Sequence, residues 1–474
     1  MKKIMKRQKK LKNYNILKTK EKDEKSYKEL KKEYNFLKQK NRLNIVNEDF
    51  IVYLFLNAMD FDDMKFAQEL NNYHKMEEFS SKDSKIALGR FYNILNSHKM
   101  ALKYLWPLYY KGYKLHVSDL HKLYNSLFEM AKFKEAEDLL RYAVKEYPEV
   151  DIWEYEILKY QIYTNHIYPQ NSADIVNNLN YLAKRATKQT HFIYMAFNFY
   201  FAGYYQQSFN MFDKYFANVT LENSKKVKKV LFNAQNTLDS MNDIIDLLSE
   251  MDIVSFPIAG SLLGLVRDGK LFDHDKDADI GLFVEEYDEI YKIVSMICKS
   301  SRFAASGMVK LPKENALWNV AIYDNKKGAS VDLFFFHKKE NHFEYGIHTK
   351  NGTIKWLFKP FKLIKTTLAG REYYVPEDYE DWLTQMYGQW NETVVVWESL
   401  LNCPNLSKDS QIGVIFYAMN KLIGAIESKS LKKFDNNYNT VKQRWHFQFS
   451  KEADENLVKI RKELSLLEDG KNND

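Results

Sequence analysis

Cysteine is nearly missing: Cys298 and Cys403 are the only two in 474 residues. Two thiols cannot build a disulfide framework or a multi-cysteine zinc site, and a reducing compartment is their natural setting. Proline and glycine are also sparse, at 8 and 16 residues. That scarcity excludes collagen, elastic linkers and a turn-dense all-β protein, and it makes long helices the default. Long apolar runs are absent too. The apolar stretches Phe50–Met59 and Val254–Val266 fall short of the ~18 residues that cross a bilayer. The basic start lacks the apolar stretch of a signal peptide. The expected location is therefore cytoplasmic, with peripheral attachment to the inner membrane face as an option.

What charge there is lies unevenly. Residues 1–40 hold 16 Lys and Arg against 5 Asp and Glu, leaving 54 against 58 for the remainder. A mildly acidic body argues against a nucleic-acid groove and confines any polyanion contact to the N-terminus. Within this tail Tyr27, Leu30, Tyr34 and Leu37 recur at helical spacing as a narrow apolar seam. A solvated helix or arm, an anchor to anionic lipid and a self-association seam are the three readings of that segment.

A repeat follows. Ala67, Ala101, Ala136, Ala173 and Ser208 stand about 35 residues apart, the period of a two-helix repeat. Leu88, Gly89 and Tyr92 precede Ala101, and Leu140, Ala143 and Pro148 follow Ala136. Both arrangements resemble the tetratricopeptide pattern, in which a small side chain lets paired helices approach closely. Such an array is expected to face a protein partner or an extended polymer. Tyr109, Tyr110, Tyr113, Tyr204 and Tyr205 are candidates to stack on sugars, although aromatics at helical spacing are more often core.

After an amphipathic segment carrying Leu238, Met241, Ile245 and Leu248, glycines gather and strands begin. Gly260 and Ser261 form a small-residue turn opening a helix, where backbone N–H groups can meet phosphate oxygens. Downstream, Asp277 and Asp279 alternate with Ala278 and Ile280 in a strand-like run. Two carboxylates on one strand face repel each other unless a cation sits between them, which a hard metal explains better than packing does. Asp332 enters an otherwise apolar strand, where a buried carboxylate requires a metal or cationic partner. The bland alternative is a solvated turn for the first two and a lysine partner for the third. His337, His342 and His348 have no motif spacing around these acids and read as surface or hairpin residues.

The stretch from Gly260 to Ile280 resembles the LicD/fukutin family signature, a Gly-Ser/Thr-Leu-Leu-Gly-x-x-Arg segment followed by an acid run. Val375-Pro376-Glu377-Asp378-Tyr379, Leu383 and Tyr387-Gly388 resemble its closing segment. His274 and Lys276 depart from the family pattern, while Asp275, Asp277 and Asp279 keep the alternate spacing. The resemblance implies a nucleotidyltransferase fold that moves a phosphorylated alcohol or sugar from a CDP-activated donor to a glycan hydroxyl. Asp277, Asp279 and Asp332 would hold Mg²⁺ or Mn²⁺ and perform catalysis. Gly260, Ser261 and Arg267 would hold the donor phosphates, with Asp275 and Lys276 alongside. Competing functions are a tetratricopeptide scaffold with a degenerate transferase domain, and a nucleotidyltransferase acting on a small molecule.

The expected class is α+β. A basic tail covers 1–44, tetratricopeptide-like helical repeats 45–225 and a mixed-sheet transferase domain with flanking helices 226–400. Helices at 401–474 would pack on that domain, with Ile415, Met419, Leu422 and Ile426 on one face and Asn436–Asn439 in a loop.

Overall fold

The computed structural model describes residues 24–471, apart from 62, 96, 131, 168–171, 222–232, 274, 276, 301, 307–318, 348–353 and 393–396. The chain forms two compact units, one running to Lys132 and one starting at Phe133. Helices come first and a mixed sheet with flanking helices follows, so the molecule is α+β.

The first unit contains α1 (Glu24–Gln39), α2 (Glu48–Asp60), α3 (Met64–His74), α4 (Lys82–Ile94), α5 (His98–Tyr110) and α6 (Val117–Glu129). Side-chain caps start several of them: Asn47 accepts from the Phe50 N–H, Asp63 from Phe66 and Ser81 from Ser84. The α1 seam is spent inside this unit. Tyr27, Leu30, Tyr34 and Leu37 are all buried, Tyr27 Oη and Lys31 Nζ reach Asp63 at 2.7 and 2.6 Å, and Tyr34 Oη meets His74 Nε2 at 2.6 Å. A solvated arm or a free self-association seam is thereby corrected for residues 24–39. Residues 1–23 of the basic tail lie outside the described residues.

The small residues of the repeat sit where the spacing puts them. Ala67, Ala101, Ala136 and Ser208 are fully buried, each at the fourth position of its helix. Gly89 shows why close approach matters, since a Cβ there would lie 2.4 Å from Leu105 Cγ. Ala173 is the exception: it is exposed, and Ile175, Leu179 and Leu182 bury that helix instead. Tyr204 and Tyr205 pack against Phe199 and Tyr200, whereas Tyr110 is 82% exposed.

The second unit opens with α7 (Phe133–Glu146), α8 (Ile152–Ile167), α9 (Ser172–Arg185), α10 (Gln189–Phe201) and α11 (Tyr205–Asn218), then α12 (Ala234–Ser249). The sheet has seven strands: β1 (Ser255–Pro257), β2 (Ala278–Phe283), β3 (Phe303–Ser306), β4 (Asn319–Asp324), β5 (Ala329–Lys338), β6 (Phe343–Ile347) and β7 (Ile354–Phe358). Their order is β1-β2-β5-β4-β3, and β6 continues from β5 to β7. β2 and β5 pair in parallel, and the remaining pairs are antiparallel. The hairpin of β8 (Leu363–Leu368) and β9 (Arg371–Pro376) stands as a separate two-stranded sheet. Between strands run α13 (Ala259–Arg267) and α14 (Tyr287–Ile297); after them come α15 (Tyr379–Tyr387) and α16 (Ser399–Asn402).

α17 (Gln411–Glu427), α18 (Leu431–Asn439) and α19 (Lys451–Lys471) close the chain. Ile415, Met419, Leu422 and Ile426 are buried, as their spacing requires. Phe416 stacks on Tyr200 with ring centroids 3.7 Å apart, and Asn456 donates to the Phe216 and Val219 carbonyls. These helices thus pack on α10 and α11 as well as on β7. The Asn436–Asn439 loop is corrected to helix. Ser430 caps α18, and Phe434 and Tyr438, one turn apart, bury its apolar side. Among the described residues no helix is long and apolar enough to cross a membrane.

Candidate active site

The chain enters α13 through Ala259, whose φ of 47° lies in the left-handed region, a strained setting for a residue with a Cβ. The Ile258 N–H donates to the Asp279 carbonyl at 3.1 Å. The Asp279 N–H in turn donates to Ser261 Oγ at 2.8 Å. Ser261 therefore clamps the acid-bearing strand to the turn, while its own hydroxyl hydrogen remains a donor. Gly260 permits a close approach of a different kind: a Cβ on it would lie 3.0 Å from Asp275 Oδ2. The small-residue turn and the first acid of the run are thus adjacent.

β2 starts at Ala278, so Asp277 stands in the bend just before it rather than within the strand. Ala278, Ile280 and Leu282 are fully buried on one face. Asp279 occupies the other face and is paired in parallel register with Asp332 of β5. In a parallel ladder, residues in register project to the same side. Phe334 and Phe336 follow Asp332 on that side, packed on the Tyr345 ring at 5.1 and 4.7 Å.

The electrostatics record the convergence. Asp279 lies deep among protein atoms, though part of its surface stays open to solvent. Burial first, then the charges of Asp277, Asp332 and Asp275, push its carboxyl well above the ordinary range. The predicted acids are therefore brought together. Lys276 lies outside the described residues. Arg267 is turned to Asp268, with Nε 3.1 Å from Oδ1, and its guanidinium lies 4.7 Å over the Phe272 ring.

Three phenols feel the charge of the acid cluster, and the sequence motifs do not assign them this role. Tyr345 is buried, and burial, Cys403 and Asp279 push its hydroxyl up. Burial, Cys403, Tyr345 and then Asp279 and Asp275 act on Tyr387 in the same direction. Tyr417 of α17 is raised chiefly by burial, with Asp277 among the weaker contributors. Tyr387 belongs to the closing Tyr-Gly segment, which the sequence reads as structural. Tyr345 and Tyr417 carry no signal beyond apolar periodicity. Of the histidines, His337 is partly buried and pushed down to about 4 by burial. His342 pairs with Glu344 at 3.5 Å. His348 lies outside the described residues.

Among the described residues no group of three or more His, Cys, Asp or Glu side chains is drawn in tightly enough to enclose a metal ion. The donor chemistry nonetheless fits a hard divalent cation: oxygen ligands only, with mutual repulsion that a cation would relieve.

Comparison with known proteins bears on this segment. Residues 252–378 match the model described as LicD/FKTN/FKRP, nucleotidyltransferase domain. Ribitol-5-phosphate transferase FKTN of Homo sapiens is 25% identical over 213 residues, which cover 43% of this chain and 42% of that protein. The Mus musculus protein of the same name is 23% identical over 189 residues, covering 36% and 39%. An uncharacterized protein, RP689, of Rickettsia prowazekii is 26% identical over 201 residues, covering 40% of this chain and 69% of its own length. The match with the fukutin relatives thus spans about two-fifths of their length.

Proposed function

We propose, from the LicD/FKTN/FKRP nucleotidyltransferase domain carried at residues 252–378, that this chain transfers a phosphorylated alcohol or sugar from a CDP-activated donor to a hydroxyl of a glycan. The observation that supports it most is the in-register pairing of Asp279 and Asp332 beside Asp277 and the Gly260-Ser261 turn. Phosphoryl transfer needs positioning and charge neutralisation more than covalent catalysis, and this arrangement suits that demand.

In this reading the acceptor oxygen attacks the distal phosphorus of the donor. A new P–O bond forms, the bridging P–O bond breaks and cytidine monophosphate leaves with the electron pair. Asp277 and Asp279 would hold Mg²⁺ or Mn²⁺, with Asp332 completing the shell or taking the acceptor proton. When bound, the cation supplies charge neutralisation of the donor diphosphate. The N–H groups of the Gly260 turn and the Ser261 hydroxyl orient the phosphate oxygens. Ser261 also holds Asp279 in place through the strand amide.

The test is a panel of CDP-activated phospho-alcohols incubated with glycan acceptors, with and without chelator, and read by mass spectrometry. Release of cytidine monophosphate together with a phospho-alcohol adduct on the glycan supports the reading. A nucleotidyl adduct on a small molecule would replace it with the sister chemistry, and binding without turnover would leave a scaffold role.

A further inference from the structure

The stretch from Ser84 to Ser118 holds no Asp or Glu, while Lys85, Arg90, Lys99, Lys103, Lys111 and Lys114 all fall within it. It covers most of α4, all of α5 and the turn into α6. Of the acids that bracket it, Asp83 is half-buried and Asp119 is buried and taken by Arg90 at 2.6 Å. Glu77 approaches from the turn before α4, where its carbonyl accepts from Lys85 Nζ at 2.8 Å. With the one arginine of the stretch engaged, lysines supply its surface charge: Lys99, Lys103, Lys111 and Lys114 are exposed.

Aromatic rings share that surface. Trp106, Tyr109, Tyr110 and Tyr113 follow one another at offsets of three, four and seven, which is one side of α5 carried into its end, and Lys99 and Lys103 extend the same side backwards. Trp106 and Tyr109 pack with ring centroids 5.4 Å apart, while Tyr110 is 82% and Tyr113 45% exposed. The helix closes through Gly112, at a φ of 76°. The Gly112 N–H donates to the Tyr109 carbonyl at 2.9 Å and the Tyr113 N–H to the Leu108 carbonyl at 3.1 Å, the paired bonds of a left-handed glycine cap. That cap fixes where Tyr113 leaves the helix, and Lys82 Nζ stands 5.1 Å from the centre of its ring.

The chemistry selects an occupant. A nucleic-acid face would offer arginine forks to phosphates, and a sugar site would set acceptors for hydroxyl hydrogens beside the stacking ring; this stretch has its arginine engaged and no carboxylate. Lysines are compact point charges that an anionic surface attracts in any orientation. Tyr and Trp rings favour the level of lipid headgroups, which accommodates an apolar body and a polar tip together. We infer that the aromatic side of α5, with Lys99, Lys103, Lys111 and Lys114, docks this chain on a bilayer rich in anionic lipid, Tyr110 and Tyr113 entering the headgroup layer. This surface is built by the fold, is separate from the basic segment at the N-terminus and does not depend on the transferase reading.

The experiment is co-sedimentation of the full chain with vesicles of phosphatidylcholine carrying about 30% phosphatidylserine, and with phosphatidylcholine vesicles alone. The parent should bind the anionic vesicles at least about tenfold more tightly than the neutral ones. Lys103→Gln, Lys111→Gln and Lys114→Gln combined should weaken that binding about a hundredfold, since each lysine beside an anionic surface contributes about a fivefold factor. Tyr110→Ser with Tyr113→Ser should weaken it about tenfold, a loss that attraction of the N-terminal basic segment alone would not produce. Should that pair fail to fold by circular dichroism, Tyr110→Ser alone removes the most exposed ring and should cost about threefold. Unchanged binding in the folded tyrosine variants, or a parent that does not distinguish anionic from neutral vesicles, overturns the docking surface. So does a single-stranded oligonucleotide that binds the parent and not the lysine variant while both bind vesicles alike, because the face would then serve a nucleic acid.

Discussion

Two groups of acids in the second unit are built on opposite terms. Asp324, at the end of β4, is fully buried and heavily compensated. Arg302 donates to it, Ser240 Oγ lies 2.9 Å away, and the Lys326 and Lys327 amides donate at 2.9 and 3.1 Å. Asp243 joins through Arg302 and Lys327 and is held below its usual range, its hydrogen bonds and cations outweighing the cost of burial. Around Asp279, burial and neighbouring carboxylates all push one way. The contrast sets an acid pair that the fold offsets with cations and amides against Asp279, whose burial and carboxylate neighbours raise it, the pattern expected of a ligand site. The first set is scaffold: it ties α12 to the β4–β5 turn behind the sheet.

The sharpest way to break this contrast is Asp279→Asn. Turnover in the transferase assay should fall by about a thousandfold or more, while resistance to urea stays equal or rises, because a repelling charge has gone. Lost stability with retained turnover would invert the comparison. Next in size is Arg302→Met, which strands Asp324 in the interior and should cost about 3 kcal/mol in equilibrium unfolding, with turnover per folded molecule unchanged. Gly260→Ala places a methyl against Asp275 and should lower turnover about tenfold with a smaller effect on stability.

The smallest effect concerns a third kind of acid. Asp213 accepts the Ser450 N–H at 3.1 Å and is pushed up to about 6, chiefly by burial. Its unfolded value is near 4, so folding takes up a proton between those two values. Stability contributed by this group is intact below pH ~4 and is lost as pH rises toward ~6. Asp213→Asn still accepts the amide hydrogen and should flatten that decline, gaining about 1 kcal/mol above pH 6 in urea titrations at several pH values. A steeper decline in the variant would show that the charge is stabilised where it sits.

Much of this was legible from residues alone, for reasons that can be named. The helix pairs announce themselves because a position with room for only a small side chain recurs with the repeat, as Ala67, Ala101 and Ala136 do. The acids stand out because a carboxylate is conspicuous among strand apolars. Ala173 misled because alanine is as common on a helix surface as at a crossing. The α18 segment misled because its asparagines outnumber its apolar residues, although Phe434 and Tyr438 suffice to bury one side. The buried face of α17 was legible in its spacing, but its polar residues were not: Tyr417 and Lys421 look like any solvated flank until Glu398 is placed beside them.

The parallel pairing of β2 with β5 has a temporal consequence. Asp279 and Asp332 are neighbours only across that ladder, and the chain between them must first make α14 and deliver β3 and β4. Joining strands through so long an excursion is slow, because the loop entropy is spent before the contacts repay it. Competence for chemistry should consequently be acquired at the end of refolding, with helical circular dichroism returning first and nucleotide binding lagging behind it.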